Sequence, residues 1–179
     1  MIILRAERLL GAAAAVAGIV AWIIFFRADL VLSHYDAKAH LVVARRVIDN
    51  LTPGWQQIGA VWLPLPHLLQ ILPTQIDVLY RTGVFASLVS IGCFGVTAFA
   101  AARLIILVTG SLLGAGVSTL LLAANPNLLY LQATPMTEAL LVACMFVAVL
   151  LLYEWVHSNH ARVPLRLGAI LIAAMWTRY

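Results

Sequence analysis

Asp36 and His40 stand four residues apart in the segment SHYDAKAHLVVARRVIDN, residues 33 to 50, within a chain that offers few other places for polar chemistry. On a helix, residues four apart stack on one side, so this acid and this imidazole can bind a cation together or orient a hydroxyl for deprotonation. A second acid, Glu138, follows the helix-breaking pair Thr134 and Pro135 and opens an apolar run. Two carboxylates that converge can share a divalent ion or divide acid and base roles. Each acid also has a plainer account as a carboxylate at the positive end of a helix, and Ser33 with Asp36 matches a capping box. His67 lies in TPGWQQIGAVWLPLPHLL, where prolines break any ordinary spanning helix. It can line a site or belong to a rigid, aromatic-rich loop with Trp55 and Trp62 at headgroup depth. Lys38, Arg45 and Arg46 suit lipid phosphates.

The elements that position these residues follow from composition. Of 179 residues, 64% are hydrophobic and only 10% charged, which indicates an integral membrane protein. A bilayer core of about 30 Å takes about 20 apolar residues in helix. Spans are expected over about 9–26, 82–102, 104–124 and 139–156, with Asn125, Pro126 and Asn127 closing the third. A further run over 167–179 covers about half a bilayer and reads as a partial fifth span, cut short as in a fragment of a longer protein. Between the first two spans lies a loop, 27–81, whose residues 34–50 form an amphipathic surface helix with Ala37, Leu41, Ala44 and Ile48 on its apolar stripe. The expected fold is therefore all-α.

Four spans put the N-terminus and the HSNHAR segment, 157–162, on one side and the 27–81 and 125–137 loops on the other. Basic residues divide evenly, with Arg5, Arg8, Arg103, Arg162 and Arg166 against Arg27, Lys38, Arg45, Arg46 and Arg81. Arg5 and Arg8 beside the first span lean toward a cytoplasmic N-terminus. The first span lacks a small-residue cleavage site, so it reads as retained rather than as a signal peptide. The net charge of +4 comes from scattered arginines, which gives no nucleic-acid-binding tract and makes membrane lipid the simpler partner. Cys93 and Cys144 fall inside spans with no CxxC spacing and read as core residues.

An acid soon after the first span, surface helices in a long first loop, and a second acid between the third and fourth spans together resemble the GT-C class of membrane glycosyltransferases. The nearest likeness is to the glycosyltransferase family 39 and RgtA/B/C/D-like bacterial enzymes, related to protein mannosyltransferases and aminoarabinose transferases. It rests on Tyr35 to His40 and Trp62 to His67 and covers the chain as an N-terminal portion. The resemblance implies a bacterial inner-membrane enzyme that moves a sugar from a polyprenyl-phosphate donor to an extracytoplasmic acceptor. It implies Asp36 as general base or metal ligand, and Glu138 as the acid that holds a divalent ion, Mg or Mn, or supports the donor phosphate or the acceptor. The family usually has aspartate where Glu138 stands. His40 would orient Asp36 or contact substrate, His67 would line the substrate site, and Lys38, Arg45 and Arg46 would neutralise the phosphate leaving group. A portion lacking the later helices is expected to be inactive alone.

Two other readings compete. A non-catalytic membrane protein, an assembly subunit or transporter fragment, would use both acids only as caps, although transport calls for charge at mid-membrane and the expected spans carry none. A metal-dependent hydrolase needs a denser set of His and acids.

Overall fold

The structure is a computed structural model that describes residues 3–59, 62–157 and 161–178, and the side chains from residue 6 onward. Arg5's side chain, Ser158, Asn159 and His160 of the HSNHAR segment, and Tyr179 at the end of the expected partial span lie outside it. The chain is 77% helix, with no strand among the described residues. Its helices are α1 (Ile3–Arg27), α2 (Tyr35–Arg46), α3 (Pro64–Leu68), α4 (Asp77–Thr82), α5 (Val84–Thr109), α6 (Leu112–Ala123), α7 (Pro126–Gln132), α8 (Glu138–His157) and α9 (Val163–Met175). Three segments are long and apolar enough to cross a membrane: Ala6–Arg27, Val84–Thr109 and Glu138–His157. They mark an integral membrane protein.

The register of α1 against α5 shows why these helices pack closely. A Cβ built on Gly11 would lie 2.8 Å from Phe99 Cβ, one on Gly95 would lie 3.0 Å from Ala15 Cβ, and one on Gly18 would face Ile91. As α1 numbers rise, α5 numbers fall, so the two helices run antiparallel, with small residues letting their backbones approach. α8 runs parallel to α5, because Ser90 bonds the Thr134 carbonyl at one end while Tyr153 bonds the Leu107 carbonyl at the other.

The expected third span differs from what is found. Arg103 does not separate two helices but lies inside α5, where its guanidinium reaches Glu7 at 2.6 Å and Glu154 at 2.8 Å. Glu7 is 2% exposed. With both acids supplying acceptors, a charged residue sits in the helix without ending it, and the helix continues to Gly110, which caps it in the left-handed conformation at φ 69°. What remains for the third pass is α6, twelve residues long, followed by α7 at a bend of 70°. Asn125 makes that bend by accepting from the amides of Asn127 and Leu128 as the N-cap of α7.

The first loop is folded against the bundle. In α2, Ala37, Leu41 and Ala44 of the expected stripe are buried, and Ile48 lies beyond the helix end and is exposed. The expected helix over 34–50 is thus shorter, and its cap is His34, whose Nδ1 accepts from the Asp36 amide at 3.2 Å. Ser33, expected as the cap, instead donates to the Leu30 carbonyl and bonds the Tyr130 hydroxyl at 2.9 Å, which ties the loop to α7. α9 comes back to the same end of the bundle, where the Trp176 carbonyl accepts from the Leu65 amide of α3 at 3.0 Å.

Candidate functional site

At that end, α2, α3, the start of α8 and the end of α9 enclose a cavity of about 260 Å³ lined by Asp36, His40, Trp62, His67, Glu138 and Arg178 among others. Asp36, His40, His67 and Glu138, each expected from sequence as site residues, all line it. Asp36 stands in the first turn of α2, and its carboxylate makes no hydrogen bond or ion pair among the described residues. His34 serves the cap, so Ser33 and Asp36 form no capping box, while Asp36 keeps the first-turn place that the helix dipole favours. His40, one turn on, is buried and faces inward.

Prolines place His67. Pro64 starts α3 with the ring angle a first helical turn requires, and His67 follows one turn later, 1% exposed. Its Nδ1 lies 3.0 Å from the Leu63 carbonyl oxygen and its Nε2 lies 3.1 Å from His40 Nδ1. Trp62 packs against both imidazoles, with centroids 4.6 Å from His40 and 5.8 Å from His67. Burial pushes the His40 pKa down to about 4, reinforced by His67 and opposed by Asp36 and Glu138. Burial lowers His67 as well, against the pull of its bond to Leu63. Both rings are therefore neutral at neutral pH.

Glu138 opens α8 as the sequence suggested, and its Oε1 is paired with Arg178. Its Oε2 is buried without a partner among the described residues. Glu138 also borders a second cavity of about 170 Å³, walled by Phe94, Leu122, Leu128, Leu131 and Val142. One carboxylate thus stands between a polar chamber and an apolar one.

Three expected residues stand elsewhere. Lys38 borders a separate cavity with Tyr80 and Arg81. Arg45 is held by Asp49 at 2.8 Å and Asp77 at 2.6 Å and lies over the Tyr80 ring, while Arg46 is exposed. Those bonds raise the Arg45 pKa and lower that of Asp77. The cation that does reach the cavity is Arg178, and sequence reasoning missed it because only the return of α9 carries it there. Trp62, also singled out from sequence, packs on the two histidines.

Among the described residues no group of three or more His, Cys, Asp or Glu side chains could hold a metal ion. Glu138 Oε1 is already paired with a guanidinium, and the chemistry proposed for the site passes through no metal ion. No family model, curated protein or solved structure matches the chain. The class rests on fold and site alone: an integral membrane protein of helices with an acid, imidazole and arginine cavity at one end of its bundle.

Proposed function

We propose that the protein is a bacterial inner-membrane glycosyltransferase that moves a sugar from a polyprenyl-phosphate donor to an extracytoplasmic acceptor. The observation that carries this reading is the pairing of a polar cavity with an apolar one across Glu138. A lipid-linked sugar phosphate has those two parts, a polar head and a hydrocarbon chain. In this reading α1, α5 and α8 span the membrane, α6 with α7 forms a broken fourth span, and α9 is a partial fifth. The N-terminus is cytoplasmic, and α2 to α4 lie along the opposite membrane face.

The roles follow from charge. An acceptor hydroxyl oxygen attacks the anomeric carbon and gives up its proton to the free Asp36 carboxylate. The bond from that carbon to the phosphate oxygen breaks, and its electron pair stays on the lipid phosphate. Arg178 is the cation within reach to neutralise it, and Glu138 holds Arg178 until the phosphate arrives. A positive group placed where charge develops is commonly the largest contribution to such a step.

The test is binding of a short-chain polyprenyl-phosphate hexose to the full-length protein in nanodiscs. Saturable binding is expected, weakened roughly tenfold or more in Arg178→Ala, the scale of a lost charged hydrogen bond. A chelator is expected to leave that binding unchanged, whereas loss restored by Mg or Mn would return a divalent ion to Asp36 and Glu138. Absence of saturable binding would shift the assignment to a non-catalytic membrane subunit.

A further inference from the structure

The hydrogens of the His40 and His67 pair can be placed from their partners alone. A carbonyl oxygen only accepts, so the His67 Nδ1 that sits 3.0 Å from the Leu63 carbonyl oxygen carries a hydrogen. In a neutral imidazole the other nitrogen is then a bare lone pair, so His67 Nε2 accepts. His40 Nδ1, 3.1 Å away, must donate to it. That leaves the lone pair of His40 on Nε2, in a side chain that lines the cavity, with no partner for Nε2 among the described residues. Nothing else in the pair can exchange these roles, because the chain is anchored at a group that cannot donate.

We propose that His40 Nε2 is a fixed hydrogen-bond acceptor that reads a hydroxyl of the substrate, and that His67 is the positioning residue that imposes this tautomer through the Leu63 carbonyl. The sugar-bearing class of ligand rests on the glycosyltransferase reading. The charged groups around His40 are compatible with a lasting acceptor. Burial, His67 and Arg178 disfavour its protonation, and Asp36 and Glu138 only partly offset them, so the lone pair persists down to a pH of about 4. A site that turns a fixed acceptor toward one hydroxyl discriminates against an analogue lacking it, because the acceptor then loses that partner.

The test uses full-length protein in nanodiscs labelled with nitrogen-15 at histidine. Two-bond proton–nitrogen correlations show which ring nitrogen carries hydrogen, and His40→Asn and His67→Asn assign the two signals. Both wild-type residues are expected in the Nδ1–H form at neutral pH, whereas histidine in water favours Nε2–H. Three probes follow: a short-chain polyprenyl-phosphate hexose, the same phosphate without sugar, and a methyl hexoside. The His40 Nε2 resonance is expected to move with the sugar-bearing donor and not with the sugar-free phosphate. Movement with the methyl hexoside alone would assign the hydroxyl to the acceptor. A deoxy donor that lacks the bonded hydroxyl should bind roughly ten- to a hundredfold more weakly. Hydrogen on His40 Nε2, or a resonance that no probe moves, would overturn the proposal. If the tautomers hold and the methyl hexoside moves Nε2 while no polyprenyl phosphate binds, the glycosyltransferase reading fails and the assignment of His40 stands.

Discussion

Burial holds His40 neutral, and that has a consequence for stability as well as for recognition. Its folded pKa of about 4 lies below the ordinary value of 6.5, so across that interval the unfolded chain binds a proton that the native one does not. Stability therefore falls as pH drops from about 6.5 to about 4, at up to roughly 1.4 kcal/mol per pH unit for one group, and is indifferent to this group above that window. His67 is shifted in the same direction and adds to the slope. Thermal unfolding in detergent across this range should show the decline, and His40→Asn should flatten it. A slope unchanged by His40→Asn would contradict the burial argument. The sequence marked both histidines through their neighbours, Asp36 four residues before one and the prolines around the other. What it lacked was any sign that residues 27 apart meet, because that contact depends on how α3 folds back onto α2.

At the scale of elements, close approach between α1 and α5 sets the platform on which α8 is held. Gly11→Val adds a branched side chain where even a Cβ would come within 2.8 Å of Phe99 Cβ and 3.0 Å of the Gly95 carbonyl. Overpacking of this kind costs about 1–3 kcal/mol, and thermal unfolding should register it, while Gly116→Ala, inside α6 with nothing within 4 Å, should stabilise by up to about 1 kcal/mol. The long apolar runs were plain in the sequence because hydropathy and length decide a span. The third was not, since its start was inferred from Arg103. Charge ends a hydrophobic window on paper, but a helix ends where its backbone turns, and here that is Gly110. The Asn125 break, by contrast, was legible, because asparagine and proline act locally.

For the molecule as a whole, the cluster of half-buried Arg103 and Glu154 with buried Glu7 joins α1, α5 and α8 at the end opposite the cavity. Arg103→Leu would strand Glu7, which is almost wholly enclosed, and the loss of one partner from such a cluster costs about 3 kcal/mol or more. The expected result is a much lower unfolding temperature, with Glu7→Gln in the same background recovering part of it. The cavity depends on contacts over larger distances in sequence, Asp36 to Glu138 and Glu138 to Arg178. Their shared side of the bundle followed from counting spans. Their convergence did not, since it needs the first loop to fold inward and α9 to return.

The most direct measurement is transfer itself: release of polyprenyl phosphate from a polyprenyl-phosphate hexose by the full-length protein in proteoliposomes, compared with Asp36→Asn. The account predicts release in the wild type and a fall of roughly a hundredfold or more in the variant with donor affinity retained, as removal of a general base requires. Equal release by both proteins would contradict the role given to Asp36, and release by neither would contradict the assigned function.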